Sequence, residues 1–298
     1  MTAGIPKTRA SNRKDLTLDD LPFHPFTELN IRSRDPQQPF VVAYGGGLNS
    51  TAILVGLVKR DLRPDLITFA DTGGEKPETY EHLEEIKRWL PKVGFPQLSV
   101  IRNLSPKAGY QSLEDECLRK GEFPSRVLGL GKCSMSWKIW PQEYQLKHWS
   151  PALRCWEAGL KVFKAIGYDG GELRRVKFVE DDYHLFWYPL IEWGLDRQGC
   201  EDLVKSVGLP IPVKSACFYC PSSTKTEVLE LKEKHPDLFA RALKLEANAL
   251  AAGTTHSVAG LGRHWSWKAL AEADEATRAR MIEAPVEPCT RCADDTEE

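Results

Sequence analysis

From Phe40 onward the chain alternates short apolar runs with segments whose apolar residues recur every three to four positions. Residues 40–44, 65–70 and 97–101 read as strands, and 50–60 and 77–90 as helices, because the first set is continuously apolar and the second is patterned at helical spacing. Pro77 and Glu78 suit a helix start, and Tyr80, Leu83, Ile86 and Leu90 then fall on one face. Strands separated by helices pair in parallel, so the pattern predicts a doubly wound α/β sheet. Further on, 105–155 is less periodic but reads as helical, and 161–166 is another strand. Phe186 to Ile191 reads as a short strand or extended segment, followed by a helix near 199–207. Residues 224–252 form a long charged helix broken near His235-Pro236, most of whose charges make a solvated face.

The chemistry lies in the turns of this pattern. The first strand runs into Tyr44-Gly45-Gly46-Gly47, and Ser50 and Thr51 open the next helix. Glycines let the backbone turn sharply and approach an anion, and the free N–H groups of a helix start attract phosphate. The spacing is not that of a Walker loop, and a glycine turn alone is also compatible with a plain structural turn. The second strand, however, ends in Asp71-Thr72-Gly73-Gly74, and the strand at 161–166 runs into a loop over 167–175. In an open parallel sheet the strand C-termini share one edge where ligands bind, so these loops are expected to converge there.

Tyr44 to Thr51, followed by Asp71-Thr72-Gly73 and Pro77-Glu78-Thr79-Tyr80, resembles the adenine-nucleotide alpha-hydrolase (PP-loop) superfamily, specifically the branch containing phosphoadenylyl-sulfate (PAPS) reductases. The resemblance covers roughly residues 40–245 and implies a PP-loop fold holding ATP or a PAPS-like nucleotide across the strand C-termini. It implies that Tyr44, Gly45, Gly46, Gly47, Asn49, Ser50 and Thr51 cradle the phosphates, and that Asp71, Thr72 and Gly73 face the nucleotide or its metal. Gly45 departs from the family's serine, and Asn49 stands where many members have an aspartate that helps hold Mg²⁺; a neutral amide is a poorer ligand for that ion. Gly167 to Arg175 resembles a further family loop, with Glu172 and Arg175 in register. Arg174 or Arg175 is expected to bind the outer oxyanion, the alternative being a surface arginine pair.

Cys133-Ser134-Met135 up to Pro141, and later Cys217-Phe218-Tyr219-Cys220-Pro221, match cluster-bearing sulfonucleotide reductases in order. Ser134 stands where that pattern has a second cysteine. The resemblance therefore leaves Cys133, Cys217 and Cys220 as catalytic thiols and as ligands of a 4Fe-4S cluster with one open iron, similar to sulfur-transferring tRNA thiolation enzymes. Zinc is the competing metal and an absent metal the further alternative. Lys132 and Lys138 flank Cys133 and could lower its pKa or steer an anion. Cys289 and Cys292 are open to four readings: redox dithiol, half a zinc site, a cluster ligand, or inert pair. Cys117, Cys155 and Cys200 read as core residues. His256 and His264 lie near Trp265 and Trp267, as channel lining or as packing.

Composition bounds rather than names the function. With 298 residues, 42% hydrophobic and 28% charged, the chain can bury a real core. A net charge of −2 gives no broad attraction to nucleic acid or membrane, although a local basic channel stays open. No apolar stretch reaches membrane-spanning length and Met1 to Asp20 is polar, so a cytoplasmic protein is expected, in which eight cysteines serve as thiols or ligands rather than disulfides. The expected organisation is a flexible arm over 1–38, a nucleotide-binding α/β domain over 39–215, a helical part with the CxxC over 216–283 and a flexible tail over 284–298. The resemblance implies sulfur metabolism on an adenylated or sulfonated nucleotide, by sulfonucleotide reduction or ATP-dependent sulfur transfer. The alternative is a non-catalytic nucleotide-sensing or interaction module. Partners would be the nucleotide, a nucleic-acid acceptor or a redox or sulfur donor protein, with a homo-oligomer allowed and no membrane.

Overall fold

A computed structural model describes residues 26–102, 109–176, 178–253 and 258–283. At its centre is a five-stranded parallel sheet of β1 (Phe40–Ala43), β2 (Leu66–Asp71), β3 (Leu98–Arg102), β4 (Val162–Ala165) and β5 (His184–Trp187), in the order β3-β2-β1-β4-β5. β1 lies in the middle, with Val42 opposite Ile67 on one side and Ala165 on the other. Its neighbours β2 and β4 are buried along their whole length, which is why these strands read as continuous apolar runs.

Helices cover both faces. On one, Ile53, Leu54 and Leu57 of helix Leu48–Lys59 pack with Leu83 and Ile86 of helix Pro77–Trp89 and with Val204 of helix Arg197–Lys205. On the other, Leu146, Ala152 and Cys155 pack against Val41, Leu66 and Val162. Each fully buried leucine or isoleucine side chain contributes about 1.5–3 kcal/mol relative to exposure. A second apolar cluster joins helix Leu113–Lys120, the segment Cys217–Tyr219 and the helices Lys225–Lys234, Pro236–Ala252 and Trp267–Glu272. Buried Glu246 ties that cluster by accepting the N–H groups of Leu261 and Trp267 at 2.8 and 2.9 Å and the Ser266 hydroxyl at 2.7 Å.

Two local expectations change. Residues 26–38, expected within the loose arm, are packed: Phe26 bridges to Trp187, and Ile31 of the short helix Glu28–Arg32 is fully buried. These two apolar residues give a polar-looking segment one side to bury. The run Phe186 to Ile191 splits into the end of β5 and a short helix Pro189–Glu192, because proline lacks the N–H that a strand would use but is suited to a first helical turn. Among the described residues no helix is long and apolar enough to cross a membrane.

Because β2 and β3 lie to one side of β1 and β4 and β5 to the other, the winding reverses between β1 and β4. In such a sheet the crevice outside the strand C-termini opens at that reversal.

Candidate functional site

A crevice of about 600 Å³ occupies that position, bordered by Gly45, Gly47, Asn49 and Ser50 after β1 and by Gly167, Glu172 and Arg175 after β4. Gly47 caps helix Leu48–Lys59, whose first turn carries no acidic residue, so the positive end of the helix dipole stands unneutralised by its own side chains. The turn requires glycine at one place above all. Gly46 has φ 73°, and a Cβ there would lie 3.1 Å from Phe69 Cε2 and 3.3 Å from Thr79 Cγ2. Ser50 lies at the crevice with its hydroxyl donating to Gly47 O at 3.0 Å.

Three residues expected at the nucleotide are turned inward. Tyr44 is buried with its hydroxyl 3.0 Å from Thr51 Oγ1, and burial pushes its pKa upward. Thr51 is itself fully buried, and its hydroxyl donates to Gly47 O at 3.0 Å and meets His82 Nε2 at 3.1 Å. Both brace the glycine loop from behind. Asp71, 3% exposed, accepts Gly73 N–H and the Tyr80 hydroxyl, each at 2.8 Å, on Oδ1 and pairs through Oδ2 with Arg102. Both oxygens are engaged by the protein, so it stands as a strut between β2, β3 and helix Pro77–Trp89. Gly73 has φ 75° and a Cβ there would meet Ser112 Cβ at 2.8 Å, so this glycine serves the close approach of residue 112.

After β4, Asp169 accepts Gly171 N–H at 2.9 Å and so caps the turn Gly170–Arg175. Glu172 pairs with Arg175, whose guanidinium lies over the Tyr168 ring at 4.2 Å, and Tyr168 stacks in turn on Tyr188. Asn49 Nδ2 donates to Glu172 Oε2 at 3.0 Å and to Asp169 Oδ2 at 3.1 Å. Arg175 borders the crevice, whereas Arg174 is exposed and borders neither cavity described here.

The cysteines gather next door. Cys133, Cys217 and Cys220 border one cavity of about 360 Å³ together with Thr72 and Lys138. Cys217 reaches this place because Phe218 N–H donates to Gly74 O at 2.8 Å and Glu75 bridges to Cys217, laying the CxxC turn against the second loop. Its Sγ meets Thr72 Oγ1 at 3.1 Å. Burial, then the Glu75 charge, push the Cys217 thiol up to about 12 against the opposing pull of Lys138 and Thr72. Burial raises Cys220 as well, partly offset by hydrogen bonds at Ser222 and by Lys138. Burial also acts to discharge Lys138, but Glu75 at 3.1 Å, with the neighbouring thiols, outweighs it and holds the ammonium above its ordinary range.

The donor set suits a thiolate-held metal, yet the expected ligand set is not assembled. Among the described residues no group of three or more His, Cys, Asp or Glu stands close enough to hold an ion. Cys217 is engaged with Thr72 instead, and a thiol with a raised pKa releases its proton only when a cation compensates the burial. Cys117, Cys155 and Cys200 are buried in apolar clusters, as expected, although Cys117 also borders a small cavity with Cys133. His256, Cys289 and Cys292 lie outside the described residues. His264 and the stacked pair Trp265 and Trp267 lie away from both cavities, with Trp267 in the second apolar cluster.

Sequence reasoning missed Glu75, Arg197, Lys214 and Ser215. Arg197 and Lys214 bring further cations to the crevice. The Ser215 hydroxyl donates to Gly45 O at 2.7 Å and lies 3.4 Å from Glu75 Oε2, joining the CxxC segment to the glycine loop. Lys214 and Ser215 stand three and two residues before Cys217, and their nearness to that motif was the available signal.

No protein-family model and no curated protein matches the sequence. Among solved structures, the U34-tRNA thiolase NcsA from Methanococcus maripaludis, with its 4Fe-4S cluster, aligns over 87% of this chain and 86% of that chain at 11% identity, with a TM-score of 0.37. At that TM-score the likeness carries no argument about the site.

Proposed function

We propose that this chain is an enzyme that binds an adenine nucleotide by its phosphates in the crevice between β1 and β4 and performs sulfur chemistry with the thiols beside it. The observation that carries the reading is that Arg175, Lys214 and Ser215 border both the crevice and the thiol cavity. A phosphate-linked group held there has two cations beside it and cysteines on the far side.

Two reactions use such an arrangement. In the first, a thiolate attacks the sulfur of a sulfonated nucleotide and the sulfur–oxygen bond to phosphate breaks. Arg175 and Lys214 take up the charge of the departing phosphate. A second thiol then displaces sulfite, leaving a disulfide, so the two electrons come from the thiols and are restored by an external dithiol. In the second, an acceptor oxygen attacks the α-phosphorus of ATP and pyrophosphate leaves; the outer sulfur of a donor persulfide then displaces AMP to form a donor–acceptor disulfide, and a further thiol attacks the donor's sulfur, releasing the thiolated acceptor and leaving the donor as a disulfide. Cys133 and Cys220, half-buried, are the more accessible thiols, and Lys138 offers a fixed cation beside them. Cys133, Cys217 and Cys220 border one cavity and would be the ligands of a 4Fe-4S cluster or zinc only if they were drawn closer than they stand here. The electrons or sulfur must arrive from a redox or sulfur donor protein, and nucleic acid is one class of acceptor for the second reaction.

The deciding experiment offers the purified chain ATP with Mg²⁺, and separately PAPS with a thiol donor. Pyrophosphate in the first or sulfite in the second assigns the reaction. Nucleotide binding with neither product would leave the non-catalytic binding module, the reading that the neutral Asn49 favours.

A further inference from the structure

Asn49 is placed where its chemistry has one solution. Three acceptors surround its Nδ2: Glu172 Oε2 at 3.0 Å, Asp169 Oδ2 at 3.1 Å and Gly167 O at 3.4 Å. An amide nitrogen carries two hydrogens, and the carboxylates hold the two shorter contacts, so the nitrogen rather than the oxygen must face them. The second oxygen of each carboxylate is committed elsewhere, Asp169 Oδ1 to Gly171 N–H and Glu172 Oε1 to Arg175. The two backbones run in ordinary contact here, a Cβ on Gly167 lying 3.4 Å from Ser50 N. One neutral side chain therefore joins the first turn of the phosphate helix to the loop after β4, and through Glu172 it sets the place of Arg175.

An aspartate of the same shape would bring a third carboxylate to hydrogen-bond range of two others, with no proton to share. We propose that Asn49 is a positioning residue: its neutral amide closes the seam between the glycine loop and the Gly167–Arg175 loop, and aspartate there opens the seam and weakens nucleotide binding whether or not Mg²⁺ is present. This inference rests on the nucleotide reading of the crevice. It also opposes the expectation from resemblance, in which aspartate at this position would improve binding of the magnesium nucleotide.

The test is titration calorimetry of ATP, in EDTA and in Mg²⁺, against the full native chain and the variants Asn49→Ala, Asn49→Asp and Asn49→Asp with Asp169→Asn. The last pair exchanges donor and acceptor, because an asparagine at 169 can still cap Gly171 and can donate to the new carboxylate. Asn49→Ala should bind several-fold more weakly than native, and Asn49→Asp about ten-fold more weakly or worse, as like charges at this range require. The double variant should recover part of that loss, since the Asp169 contact is restored while Glu172 still faces the new carboxylate. Asn49→Asp binding as tightly as Asn49→Ala in either condition, or no recovery in the double variant, would overturn the proposal. Should Asn49→Asp fail to fold, a folded double variant supports the seam and an unfolded one refutes it. If the native chain binds no ATP, the nucleotide reading falls by itself, and the melting temperatures of the four proteins then judge the seam by the same order.

Discussion

Replacing Asp71 by asparagine separates a strut from a metal ligand. Its carboxylate is buried and receives Gly73 N–H, the Tyr80 hydroxyl and the Arg102 guanidinium. Asparagine keeps the shape, and its oxygen can still accept from Gly73 and Tyr80, but its NH₂ then meets Arg102 donor to donor. A hydrogen bond to a charged group contributes about 1.5–3 kcal/mol. Arg102 is 49% exposed and can rehydrate, which places the cost toward the middle of that range, about 2 kcal/mol. For a chain of this size the shift in melting temperature is about 4–8 °C, at roughly 2–4 °C per kcal/mol. Asp71→Ala also strands the Gly73 and Tyr80 donors and should cost about 4 kcal/mol or more. Calorimetry without nucleotide measures both, and ATP titration with Mg²⁺ runs beside it. If Asp71→Asn melts with the native protein while losing Mg²⁺-dependent ATP affinity, Asp71 is a metal ligand and the strut argument is wrong.

Other consequences follow from the same geometry. Gly46→Ala should lose about 3 kcal/mol in urea unfolding, combining left-handed backbone strain with overpacking against Phe69 and Thr79; an unchanged midpoint would show that the turn does not need glycine. Burial lowers the pKa of His82, so the folded ring stays neutral while the unfolded ring takes a proton near its ordinary value of about 6.5. Stability should therefore fall as pH drops below about 6.5, and His82→Gln should show a smaller loss of melting temperature between pH 7.5 and 5.5 than the native chain. Arg175→Ala should weaken ATP binding about ten-fold and reduce its salt dependence, whereas Arg174→Ala should change neither, and equal effects would deny the distinction drawn from the two cavities.

The fold was legible because β1, β2 and β4 are buried on both faces and so appear as unbroken apolar runs, while Pro77 marks a helix start. The three loops at the strand C-termini were legible for the same reason, since parallel strands carry them to one edge. What each side chain does there was not. Tyr44, Thr51 and Asp71 lie within the loops yet face the interior, where Thr51 and Asp71 hydrogen-bond to the loops' own backbone and Tyr44 meets Thr51. Lys214 and Ser215 lie some 170 residues from the glycine loop, and only the contact of Ser215 with Gly45 shows that they complete it. Phe26 and Ile31 were hidden by the polar composition around them. The thiols were found in sequence, but not the turn of Cys217 toward Thr72, which depends on how the CxxC segment docks on the second loop.

In the proposed function the crevice beside the glycine loop and the thiol cavity form one continuous site. The most direct measurement of that continuity is mass-spectrometric alkylation of individual cysteines with and without saturating ATP or PAPS. Nucleotide should slow alkylation of Cys133 and Cys220 about five-fold or more, as expected when a bound ligand excludes reagent from the space beside Arg175 and Lys214, and leave buried Cys155 unaffected. A nucleotide that binds in calorimetry yet protects neither thiol would show that the two cavities are separate sites.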